Sequence, residues 1–247
     1  MKMLFYHIGR YTILMGRVFS RPEKWKLYRQ QFAREVMSIG LGSLGLVALI
    51  SFFMGAVITL QTASNIDSPL IPLYTIGFTA RQSTILEFSP TIIALILAGK
   101  VGSNISSEIG SMRITEQIDA LEIMGINSAA YLVLPKIVAA IFINPFLIIY
   151  SMFLSLFGGW FVGIATGIVS SNQYIYGIQY DFDSFSVTYA LIKTVFFAFV
   201  ITSVPAYFGY YVRGGSLEVG KASTQSFFYS AVLILIINYI ITQLLLI

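Results

Sequence analysis

Residues 98–126, AGKVGSNISSEIGSMRITEQIDALEIMGI, gather Lys100, Glu108, Arg113, Glu116, Asp119 and Glu122 in a chain that is only 11% charged. Ile114, Ile118, Leu121 and Gly125 fall on one helical stripe. Thr115, Asp119 and Glu122 form another, with Glu116 beside it, so the pattern is a short amphipathic helix with an acidic face. A helix resting passively on anionic lipid carries a basic polar face. An acidic one is repelled by lipid and suits a basic groove on another protein. The spacing predicts a docking helix over 107–125, with Glu108, Arg113, Glu116, Gln117, Asp119 and Glu122 as its contact residues. The bland reading is a solvated loop between two spans.

Other groups that could act are sparse. GSLEVGKAS, starting at Gly215, approaches the phosphate loop G-x-x-x-x-G-K-[ST]. Ala222 stands where the magnesium-binding hydroxyl belongs, and an apolar helix rather than a strand precedes it. The glycines are expected to make a tight turn, and this chain to supply no ATP hydrolysis of its own. Glu87 and Lys193 lie near the ends of apolar runs, where an ionisable group costs less than the roughly 2.5–3.5 kcal/mol of mid-bilayer. They either mark headgroup level or line a cavity open to the outer side. One histidine (His7) and no cysteine leave no metal cluster, thiolate nucleophile or disulfide framework. No span holds paired carboxylates, which excludes an intramembrane enzyme.

The elements that position these groups follow from composition. The chain is 57% hydrophobic, against roughly 45–50% in soluble domains, and its fifteen basic and eleven acidic residues could not coat a soluble globule. The fold class is therefore all-α integral membrane. Residues 44–63 are charge-free and long enough for a hydrocarbon core of about 30 Å. Further spans are expected at 83–105, 137–167, 190–212 and 224–246. Residues 137–180 contain no charge over 44 residues, too many for one ordinary span and few for two. The positive-inside rule decides for one crossing and an external loop. With five spans and the N-terminus inside, all of the fifteen Lys and Arg except Arg81 and Lys193 lie on the inner side. Trp160, Tyr174, Tyr176 and Tyr180 then populate the outer interface.

Residues 1–35 read as a basic interfacial segment. Leu4, Ile8, Tyr11, Met15 and Val18 share a stripe, while Arg10 and Arg17 face headgroups and Arg34 anchors the start of the first span. Ser20-Arg-Pro-Glu23 resembles a capping box. MKMLFYHIGRYTILMGRVF lacks an apolar core followed by a small-residue cleavage site, so no cleaved signal peptide is expected. Gly40, Gly42, Gly45 and Gly55 permit close helix approach. Met54, Val57, Ile58 and Gln61 could wall an apolar cavity.

The stretch from Ala98 to Met124 resembles the signature of the MlaE-type permeases, ABC transporter membrane subunits tied to lipid traffic. That pattern runs close to A-G-[RK]-x-G, then E-[IL]-G-x-M-[RK]-x-T-E-Q-[IL]-D-A-[LM]-E-x-M. It is met here from Ala98-Gly99-Lys100 and Gly102 through Glu108-Ile109-Gly110, Met112-Arg113 and Thr115–Glu122 to Met124. A second block, LIKTVFFAF with Lys193 followed by GGSLEVGKASTQSF, resembles the family's last connection, and the likeness covers residues 34–247. One departure is Leu86-Glu87-Phe88-Ser89-Pro90, where the family often has arginine before the glutamate. Arg81, about a turn and a half earlier, could take over an arginine's headgroup role.

The resemblance implies a single permease domain over 1–247 with five transmembrane helices, an N-terminal interfacial helix and a cytoplasmic coupling helix. It implies a multi-pass subunit of the bacterial inner membrane, N-terminus cytoplasmic, acting as a homodimer. Its partners would be a separate cytoplasmic ABC ATPase that binds ATP and magnesium, a periplasmic MCE-type lipid-binding protein and phospholipid, and the family also allows a small STAS-type accessory protein. No cofactor in this chain and no nucleic acid are expected. Glu87, Lys193, Met54, Val57, Ile58 and Gln61 would then line the lipid path. The alternative is an ATP-independent secondary transporter or membrane scaffold. A secondary transporter usually shows inverted repeats and mid-span ionisable residues, and neither is evident.

Overall fold

Lipid offers no partner to backbone amides, so a spanning segment must satisfy them internally. The computed structural model describes residues 2–20, 25–66 and 71–246, and all regular structure among them is helical. The proposed capping box at 20–23 falls largely outside them. α1 (Lys2–Ser20) precedes α2 (Trp25–Val36), which passes through a π-helical turn, Met37–Leu41, into α3 (Gly42–Ser64). α4 (Tyr74–Ser83), a π-helical stretch Thr84–Ile92, α5 (Ile93–Leu97), a π-helical turn Ala98–Gly102 and α6 (Ser103–Ile114) form one continuous rod. α7 (Gln117–Ile123), α8 (Ser128–Ala165), α9 (Ser171–Gln179), α10 (Ser184–Tyr210) and α11 (Ser216–Leu245) follow. Five rods are long and apolar enough to cross a membrane: Tyr28–Ser64, Tyr74–Ile114, Ser128–Ala165, Ser184–Tyr210 and Ser216–Leu245. The chain is an all-α integral membrane protein.

These rods are longer than the expected bounds; the first begins at Tyr28, not at 44, and the bounds of the second, third and fourth have local features behind them. The second rod begins at Tyr74, well before residue 83. Pro90, without an amide hydrogen and with a ring that crowds the preceding turn, lies inside its π-helical stretch, where the backbone widens instead of breaking. The third begins at Ser128 because Asn127 caps it, its side chain accepting from the Ala130 amide. It ends before Gly167, whose φ of 70° favours glycine. The fourth starts at Ser184, capped by Asp183 through the Phe185 amide. Past Gly167, the expected external loop folds as α9, opened by a reciprocal cap between Ser170 and Gln173. Tyr176 and Tyr180 are exposed, but Tyr174 is fully buried beneath α9, its hydroxyl 3.5 Å from Thr59 Oγ1. Tyr174 is therefore packing, not an interfacial anchor.

α10 is the most enclosed rod, while α11 is the least enclosed and leaves most of its surface to lipid or another chain. The first and third rods cross closely. A methyl group built on Gly55 would overlap the Ser155 carbonyl, and one on Gly158 the Phe52 carbonyl, the small-residue contact that lets membrane helices approach. Gly40 lies close to Ile143, whereas Gly42 and Gly45 face open space. Beside this seam, Ser51 donates to Ser151 (2.8 Å), Ser151 donates to Ser89 (3.1 Å), and Thr84 and Ser155 hydroxyls pair at 3.3 Å. Rods one, two and three are thus pinned by hydroxyls at membrane depth. Gly55→Ala is expected to cost about 1–3 kcal/mol by overpacking against backbone that cannot yield. Gly45→Ala should be neutral or slightly stabilising. Thermal unfolding of the purified full chain, followed by fluorescence-detected gel filtration, separates the two, and equal melting of both variants would contradict this packing.

α1 lies against α8 and α10. Leu14, Met15 and Val18 are buried, and the Tyr11 hydroxyl donates to Ser203 Oγ at 2.8 Å. Ile8, expected on the same stripe, faces outward, and Leu14 takes its place. Burial raises the Tyr11 pKa, a shift that its bond to Ser203 only partly offsets. The Arg10 guanidinium stacks 3.8 Å from the Tyr211 ring centroid, which ties it to the end of α10 as well as to the surface. Arg17 and Arg34 are exposed.

Candidate functional site

Three groups of polar side chains interrupt the apolar rods, and they take up most of the charged residues singled out in the sequence. The first surrounds α7. The segment expected as one helix over 107–125 is two, because Glu116 adopts φ 59° and breaks α6 from α7. Arg113 Nη1 bonds Asp119 Oδ1 at 2.7 Å across that break. Glu122 Oε1 accepts from Ser128 Oγ and from the Tyr210 hydroxyl, each at 2.9 Å, and Ser128 and Tyr210 lie 2.8 Å apart. Burial pushes the Glu122 carboxyl up, but these two bonds and the charges of Arg113 and Arg17 outweigh it and hold the group below its ordinary pKa. Asp119 and Glu122 thus bond toward α6, α8 and α10, while both keep exposed surface. The most open side chains in and beside α7 include Glu116, Gln117, Ile123 and Met124, with Ile123 87% exposed, and Glu122 is exposed as well. The Gln117 side chain donates locally, to Thr115 Oγ1 at 3.0 Å.

The second group lies at the same end of the bundle. Buried Lys136 on α8 bridges Glu35 (2.6 Å) on α2 and Glu108 (2.8 Å) on α6. Glu108 therefore joins rods and does not lie beside the other residues expected at a docking surface. Sequence reasoning missed Glu35 and Lys136 as a pair because they lie 101 residues apart.

The third group lies toward the opposite end. Lys193 is fully buried and its Nζ is 2.7 Å from Glu87 Oε1 and 3.3 Å from the Leu86 carbonyl. The ammonium also lies 4.4 Å from the Tyr189 ring centroid. Glu87 Oε2 accepts from Thr91 Oγ1 and Asn238 Nδ2, both at 3.0 Å. The Tyr189 and Thr242 hydroxyls pair at 2.7 Å. Rods two, four and five therefore meet at one ion pair. Lys193 is nine residues into a 27-residue helix, about 14 Å from its start. Centring that helix on a ~30 Å core places the Lys193 backbone roughly 8 Å inside hydrocarbon, with the side chain long enough to reach back toward the interface. Asn238 and Thr242 were not singled out beforehand, though an asparagine inside the otherwise apolar run 231–241 was a readable signal.

Arg81 does not join this group. It is buried, donating to the carbonyls of Ile178 (2.8 Å), Tyr180 (2.9 Å) and Asp181 (3.2 Å), the open carbonyls at the end of α9. Its donors are spent on clamping α9 to α4, so it does not substitute for the absent arginine before Glu87. Met54, Val57, Ile58 and Gln61 do not form one wall. Ile58 packs with Ile76, Ala80, Val169 and Tyr174, and Met54 borders the hydroxyl cluster near Ser51 and Ser155. Val57 and Gln61 share the exposed face of α3.

A family model described as permease MlaE matches residues 32–244. A probable ABC transporter permease protein of Rickettsia bellii is 35% identical over 237 residues, covering 96% of this chain and 91% of the relative. A probable ABC transporter permease protein of Synechocystis is 28% identical, covering 94% and 88%. The chloroplastic protein TRIGALACTOSYLDIACYLGLYCEROL 1 of Arabidopsis thaliana is 28% identical over 240 residues, 94% of this chain and 66% of that protein.

Proposed function

Since the chain belongs to the MlaE permease family and is a membrane permease subunit of the ABC transporter type, we propose that two copies move phospholipid between the inner membrane and a periplasmic MCE-type carrier, driven by a separate ATPase. The observation that carries the coupling half of this reading is α7. It projects at the end of the bundle that bears nearly all the basic residues, and it is tied by Glu122 to the first residue of α8 and to the last residue of α10. Motion imposed on α7 would reach two spans directly. Glu87 and Lys193, at the other end, supply charge inside the lipid path, while Val57 and Gln61 supply its exposed wall. The N-terminus lies in the cytoplasm in this reading. A STAS-type accessory subunit is compatible with it but carries no part of the argument.

The lipid half is supported by the low charge of the rods and the exposed apolar faces of α3 and α11. The test is reconstitution of this chain with its ATPase in proteoliposomes holding a fluorescent phospholipid, with an MCE-type carrier outside. ATP should drive transfer between vesicle and carrier. Transfer at the same rate without ATP would support a secondary transporter instead.

A further inference from the structure

We propose that α1 is a strut of the coupling apparatus: it ties the start of α8 to the inner end of α10, so that motion of α7 carries both spans as one body. The observation behind it is a convergence. Glu122 of α7 holds Ser128 and Tyr210, at those two ends. α1 grips the same two ends through bonds of its own. Near its C-terminus, the Arg17 carbonyl accepts from Asn127 Nδ2 at 2.9 Å, and Asn127 is the cap of α8. Toward its N-terminus, His7 Nδ1 lies 2.7 Å from the Tyr207 hydroxyl, Tyr11 donates to Ser203, and the Arg10 guanidinium covers the Tyr211 ring. Ser203, Tyr207 and Tyr211 follow one another at i, i+4 spacing, a single stripe running off the inner end of α10.

A helix that only rests on a bilayer needs an apolar face below and a polar face in water. α1 also directs polar groups into the bundle at both of its ends, with Leu14, Met15 and Val18 buried as well. Apolar burial is non-directional and does not fix how far a helix slides along its neighbours. Bonds at both ends do. From His7 to Arg17 the helix covers about 15 Å at 1.5 Å per residue, a stiff rod across the gap between α8 and α10. The charge of Arg17 also acts on Glu122, so α1 reaches α7 as well as the two spans. Without the strut, α8 and α10 would yield separately when α7 is pushed. With it, their spacing is set and the push is shared.

The use of the strut in coupling rests on the reading that α7 receives the ATPase; its existence does not, so the first arm of the test omits that protein. Asn127→Ser keeps a good cap for the Ala130 amide but is too short to reach the Arg17 carbonyl. Tyr11→Phe removes only a hydroxyl. In hydrogen exchange of the full chain in nanodiscs, each variant should speed exchange across 117–126 about fivefold, the loss expected for one hydrogen bond, with the first turn of α8 unchanged. The Tyr11 hydroxyl acts on α10, so only a linked strut carries its loss to α7. A strut cut at one end bears nothing, and the double variant should therefore be little worse than either single one. In the second arm, with the ATPase reconstituted, both variants should bind it as the native chain does and move several-fold less lipid per ATP. Native exchange across 117–126 in Tyr11→Phe, or additive effects in the double variant, would overturn the strut. Faster exchange with native lipid transfer per ATP would overturn its part in coupling. A native chain that does not bind the ATPase would count against the docking reading alone.

Discussion

Glu87→Gln is expected to destabilise the protein by about 3–5 kcal/mol, the cost of leaving a buried charge without its counter-charge. Lys193→Met is expected to cost clearly less. The asymmetry comes from solvation. The Lys193 side chain is 0% exposed, while that of Glu87 is 42% exposed. With glutamine at 87 the ammonium keeps an amide oxygen, the Leu86 carbonyl and the Tyr189 ring but no counter-charge, too little for a fully buried cation. Without Lys193, the carboxylate keeps Thr91 and Asn238 as donors and its exposed edge. The double variant Glu87→Gln/Lys193→Met removes both charges and should recover most of the loss, because a paired buried charge contributes little net stability. Thermal and denaturant unfolding of the four proteins in nanodiscs tests this. Equal single effects, or simple additivity in the double variant, would remove the ion pair as the organiser of this site. If the pair also lies in the lipid path, Lys193→Met yields a folded protein with impaired transfer.

The sequence made the large-scale architecture readable because bilayer thickness imposes it. The long uncharged run 137–180 was resolved into one crossing by charge asymmetry alone, and the helix there ends at Ala165. Individual pairings were less legible. Lys193 and Glu87 stood out because charge is rare in apolar runs, but the shared role of Asn238 depends on rods two and five meeting side by side. The turns at 37–41 and 98–102 left no local trace, since a π turn without proline arises where packing holds a helix in a wider register. Asp119 and Glu122 illustrate the limit most clearly. Their helical spacing was evident, but which side of α7 faces outward depends on Tyr210, nearly ninety residues away. A pattern of period 3.6 specifies a face without saying what that face meets.

That rotation of α7 separates docking from transmission, and the two should fail differently. Ile123→Asp, alone or with Met124→Asp, is expected to weaken binding of the ATPase at least about tenfold, since exposed apolar side chains at the tip of a helix are the kind of anchor that dominates an interface. The bundle should remain folded, because Ile123 is 87% exposed and 66% of the Met124 surface is likewise free. Reversing charge at Glu116 should weaken docking less, and reversing Asp119 should act mainly by breaking its bond to Arg113. Glu122→Ala should weaken docking much less than Ile123→Asp, because its carboxylate, though exposed, is already engaged by Ser128 and Tyr210. It also removes the acceptor shared by Ser128 and Tyr210, so α7 would move without carrying α8 and α10. The expected result is a complex that assembles and hydrolyses ATP but moves little lipid. Affinity by surface plasmon resonance, ATP turnover and lipid transfer, measured on the same reconstituted complexes, distinguish the two failures. If Glu122→Ala lost the ATPase while Ile123→Asp retained it, the acidic face would be the docking surface after all.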